Sequence, residues 1–90
     1  MKTSPKRAFD TISAALAGQA DVRLVTTFFD KQVFGNFHVA YWRGQRAVSI
    51  LLHRGQLFIC EGLQAEKCRK MGDLLESDES EILEALRPEW

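Results

Sequence analysis

No hydrophobic run in this 90-residue chain approaches the ~20 residues that a membrane-spanning helix requires. The first ten residues, MKTSPKRAFD, lack the apolar core of a secretory signal, so the expected location is cytoplasmic. Cysteine is scarce. The two present, Cys60 and Cys68, are too few for a disulfide framework. In a reducing compartment they read as a buried small hydrophobe and a free thiol. An excess of one charge is also missing. Twelve Lys+Arg balance twelve Asp+Glu, which disfavours a general nucleic-acid binder. There is no phosphate-binding loop, because Gly35, Gly44, Gly55 and Gly62 each stand alone in strand or turn contexts. The sequence implies no cofactor.

What is present suits one domain spanning residues 1–90. Hydrophobic residues make up 46% of the chain and six are Phe, enough for a shared core. A charged fraction of 27% is ordinary for a folded protein. The charge is unevenly spread. Residues 1–72 hold eleven of the twelve basic residues and five of the acidic ones, whereas residues 73–90 hold one and seven. The pattern predicts an acidic surface element beside a mildly basic body.

Ser4-Pro5 is a helix start: the hydroxyl caps orphan N–H groups, and proline fits the first helical position. Phe9, Ile12 and Leu16 fall on one stripe, and Gly18 can take the left-handed conformation that ends a helix. The prediction is a helix over 5–17. From Val22 the period changes to two, predicting strands over about 22–29, 34–43, 46–53 and 56–61. Arg-Gly-Gln occurs twice, at 43–45 and 54–56. If Gly44-Gln45 and Arg54-Gly55 are two-residue hairpin loops, then Phe37, Val39, Tyr41, Val48, Ile50, Leu52, Leu57 and Ile59 share one apolar face. A one-residue slip would scatter them, so the repeats read as turns first. The segment LQAEKCRKMG predicts a short helix ending near Gly72. DESEILEALRPEW predicts another, capped by Asp78 or Ser77, with Arg87 in its last turn and Pro88 as its stop. The expected fold is α+β, in the order α-β-β-β-β-α-α. It has a four-stranded antiparallel meander with the helices packed on one face.

The opposite face then carries Asn36, His38, Ala40, Trp42, Ala47, Ser49, Leu51, His53, Phe58 and Cys60, of which Asn36, His38, His53 and Cys60 form a candidate ligand face. Cys60 with His38 or His53 is a conceivable nucleophile–base pair, but no acid or oxyanion loop accompanies it, so catalysis is not expected. The His and Cys spacings match no structural zinc pattern, so no metal is expected. Trp42, near a hairpin tip, is a candidate anchor for a partner or a second subunit, with Arg43, Arg46 and Arg54 beside it in the turns. The alternative is that a helix or Trp90 covers it. The acidic Asp78, Glu81 and Glu84 can steer a basic partner or simply form a solvated helix face.

Residues 33–60 carry FGN at Phe34-Gly35-Asn36 and an RGQ turn at Arg54-Gly55-Gln56, followed by Phe58 and Ile59. This segment resembles the strand–turn–strand core of small bacterial immunity-type proteins from polymorphic toxin systems. In those, an FGN strand start precedes a DRGQ-like turn and an F-[IV] strand. His53 stands where that pattern has Asp. The resemblance implies a non-catalytic protein that binds and blocks a toxin. The expectation is therefore a small protein-binding domain of immunity or adaptor type that meets another protein or a second copy of itself, with no membrane partner. The alternatives are a small-ligand module with a pocket between helices and sheet, a Cys/His enzyme, or an RNA-binding sheet.

Overall fold

Ser4 starts the first helix by the predicted mechanism. In the computed structural model, which describes residues 4–30, 35–73 and 79–86, Ser4 stays extended. Its Oγ accepts a hydrogen bond from the Arg7 N–H at 3.2 Å. Helix α1 runs Pro5–Ala17 and buries Ala8, Ile12 and Leu16. Gly18 ends it, but in the right-handed conformation at φ −81°, not the left-handed one. The Gly18 and Gln19 N–H groups still reach the carbonyls of Ala14 and Leu16 at 3.2 and 3.1 Å. The chain thus leaves through a tightened last turn, which needs no left-handed residue.

Five strands follow: β1 Val22–Asp30, β2 Asn36–Arg43, β3 Arg46–His53, β4 Gln56–Glu61 and β5 Glu66–Asp73. They form one antiparallel meander in the order β1-β2-β3-β4-β5. The β3 and β4 bounds are those expected. Of the expected second strand, position 34 lies outside the described residues. Both Arg-Gly-Gln repeats are hairpin turns. Gly44 has φ +59°, while Arg54 and Gly55 have φ +52° and +80°, the positive values that two-residue hairpin loops need. The register that follows pairs Tyr41 with Val48, Val39 with Ile50, Phe37 with Leu52, and Leu52 with Leu57.

Two expectations fail together after Glu61. The sheet has five strands rather than four, because residues 66–73 form β5 and not a helix. The cysteines are not free: Cys60 and Cys68 form a disulfide, with Cα atoms 4.0 Å apart. The physical reason is non-local. The helix-forming composition of QAEKCRK is overridden by backbone pairing with β4 and by the covalent link across that pair. One helix follows, α2 Glu79–Leu86, in place of two. The expected caps Ser77 and Asp78, and Arg87, Pro88 and Trp90, lie outside the described residues. No helix among the described residues is long and apolar enough to cross a membrane.

The core lies between the helices and one sheet face. Ile12 and Leu16 of α1 and Ile82 of α2 join the eight predicted sheet residues in one buried cluster. Phe9 packs its ring 5.5 Å from those of Phe29 and Phe37. Gly35 is required where it stands. It has φ +69°, and a Cβ there would lie 2.6 Å from Cβ of Pro5, so the strand start approaches the helix N-terminus at backbone range. A bulge interrupts β1. Leu24 pairs with Tyr41 and Thr26 with Ala40, which leaves Val25 as the extra residue.

Candidate functional site

The helices cover one face of the sheet. On the other, the register sets side chains in cross-strand rows. One row runs through all five strands: Phe28, His38, Leu51, Phe58 and Lys70. A second, Thr26, Ala40, Ser49 and Cys60, has small side chains. Ser49 is fully buried and donates its hydroxyl proton to the Gly62 carbonyl, while the Gly62 N–H donates to Ala47 O at 3.0 Å. Both bonds hold the loop after β4 against the sheet.

Beside the long row lies a groove of about 400 Å³, with Phe28, Leu51 and Phe58 as apolar walls. Asp30, Asn36, His38 and His53 supply its polar groups, and Cys68 closes one side. The structure thus brings together Asn36, His38 and His53 of the predicted ligand face. Cys60 lies in the adjacent row with its sulfur bonded to Cys68, so it offers no thiolate while that bond stands. This groove lies on the sheet face opposite the helices. Among the described residues, no group of three or more His, Cys, Asp or Glu side chains is disposed to hold a metal ion.

Asn36 is fixed by its Oδ1, which accepts the Arg54 N–H at 3.0 Å across the hairpin. His38 is half-buried, and its Nε2 has no hydrogen-bond partner among the described residues. Desolvation pushes its pKa below the ordinary 6.5, so the groove holds a neutral imidazole near neutral pH. The unfolded chain takes up this proton before the folded chain does. The stability tied to a neutral His38 is therefore complete above about pH 6.5 and is lost as the pH falls toward the lowered folded value. Urea titrations across that window should show a slope that His38→Val flattens. An unchanged slope would remove His38 as its source.

Comparison with protein-family models, with curated proteins and with solved structures finds no match. The residues alone therefore carry the functional argument.

The predicted partner-binding residues separate. The Arg43 guanidinium donates to Asp21 Oδ2 at 2.8 Å and Gln19 Oε1 at 2.6 Å, tying the β2–β3 turn to the loop after α1. Arg46 and Arg54 are exposed and Trp42 is half-buried on the open face. Glu81 and Glu84 are exposed on α2, on the helical side of the sheet, and Asp78 is outside the described residues. Phe28 and Asp30 are groove residues that the sequence did not place on this face. Phe28 was hidden by the bulge. Strict alternation from Val22 and Leu24 sends residue 28 to the core, but the extra Val25 turns it to the open face.

Proposed function

We propose that this protein is a binding module whose groove takes an apolar or aromatic side chain of a partner protein. One observation carries this reading: an apolar groove lies on the sheet face that no described helix covers, and Phe28 at its edge is 57% exposed among the described residues. A large exposed aromatic beside a concave apolar surface is what an interface anchor needs. The neutral His38 and the Asn36 amide supply directional hydrogen bonds once the site is dry. The likeness of residues 33–60 to immunity-type proteins supports occlusion of a toxin as the mode of action. The His38 Nε2, with no partner among the described residues, favours a second reading, in which a small aromatic molecule with one polar group fills the same groove.

The test compares two surfaces. Tagged wild type, Leu51→Thr and Glu81→Lys/Glu84→Lys are purified from the native host and weighed intact by native mass spectrometry. Leu51→Thr keeps a strand-forming residue but removes a groove wall, and should weaken partner capture by about tenfold or more. The double charge reversal on α2 should leave capture unchanged. If the partner follows the α2 variant instead, the groove reading is wrong. A bound small molecule in place of a protein selects the second reading.

A further inference from the structure

Strand β1 is an edge of the sheet. Among the described residues no strand lies on its outer side. It is nine residues long, and from Leu24 to Phe29 it has no charge and no proline, the usual blunting devices of a sheet edge. It does have the bulge at Val25, and that bulge decides the register. Take a second copy antiparallel, with Thr27 facing Thr27 on the twofold axis. The Val25-Thr26 bulge of each copy then opposes Phe28 of the other, just as it opposes the single Ala40 on β2. Beyond it Leu24 faces Phe29, and Arg23 faces Asp30.

Every pair in this register is face-matched. Leu24 and Phe29 both lie on the core side, where both pack against the buried cluster. Val25, Thr26 and Phe28 lie on the open side, and Val25 and Phe28 are 50% and 57% exposed. Without the bulge, the same axis would set Arg23 against position 31, a lysine. With it, the two ends of the strand carry opposite charges to one another. A formal net charge of zero adds no long-range repulsion between copies.

We infer that two copies of this chain join along β1 into a ten-stranded sheet with continuous open faces, each copy supplying Arg23 and Val25 to the rim of the other's groove. Phe28 and Asp30 line that groove, so the partner's Arg23 brings a cation to its carboxylate end. This interface borders the groove without filling it, and a monomer that still captures its partner would sink this inference alone.

Sedimentation velocity of the full chain should show a concentration-dependent dimer. Arg23→Asp places two like-charged acidic pairs in the interface, and Asp30→Arg places two basic ones. Each should weaken dimerisation on the order of tenfold. An equimolar mixture of the two variants re-creates both opposite-charge pairs and should recover the dimer, as should the double variant Arg23→Asp/Asp30→Arg. Recovery on mixing also shows that neither variant is unfolded. A chain that stays monomeric, a dimer indifferent to both reversals, or a mixture that fails to recover would each overturn the inference.

Discussion

Ile50→Ala should lower the unfolding free energy by about 3–4 kcal/mol. That is a large share of the roughly 5–13 kcal/mol expected for a chain of this size. Ile50 is fully buried on central strand β3, with Val39 and Ile59 as its ladder partners on either side. Truncation removes three methyl or methylene groups where neighbours on both flanks are themselves fixed by pairing, so little collapse can refill the space. The informative comparison is the next residue. Leu51 has the same composition and strand but points to the open face, where it is half-buried. Leu51→Ala should cost only about 1 kcal/mol. Urea melts of the two variants, at unchanged m-value, measure this ratio directly. Equal costs would mean that the groove face is packed as tightly as the core, and the proposed binding surface would be lost with that result.

The Ile50–Leu51 contrast was legible in the sequence because local signals and long-range packing agree there. Two-residue turns at Gly44 and Gly55 fix the register of β2, β3 and β4, and that register sorts every residue from Phe37 to Cys60 to one face or the other. Asn36, His38 and His53 reached one site by this logic alone. Where the deciding interaction is non-local, the sequence misled. Residues 66–70 have helix-forming composition, and only their pairing with β4 and the bond from Cys68 to Cys60 make them a strand. The β1 bulge has no composition of its own. A run such as VTTFF contains apolar side chains on both parities, so alternation cannot locate the extra residue. That one residue decides whether Phe28 is core or groove, and whether Arg23 can meet Asp30 of a second copy.

Reducing the disulfide should have its largest effect on β5. Closing a loop with a sequence separation of 8 restrains the unfolded chain by about 2.5 kcal/mol on the chain-entropy account. Which part of the fold yields is set by what else holds it. Glu66, Lys67, Cys68, Arg69 and Lys70 are all exposed, and burial resumes only at Met71. Lys67 and Ala65 also sit at positive φ, 51° and 55°, a conformation that costs non-glycine residues. Backbone pairing with β4 and the Cys60–Cys68 bond therefore restrain residues 66–70, while Met71 packs the strand's far end on the core. Cys68 is exposed, so a thiol reagent can reach it. Hydrogen exchange with and without reductant should show amides of 66–70 losing protection while those of β2 and β3 keep theirs. Cys60→Ala/Cys68→Ala should reproduce the reduced pattern. If β5 stays protected in both, backbone pairing alone holds the edge and the bond is not its tether. The same experiment reaches the groove, because Cys68 forms one of its sides. An opened β5 removes that side while leaving Phe28, His38 and Leu51 on strands that remain paired. Groove occupancy should then weaken under reducing conditions although the core is intact.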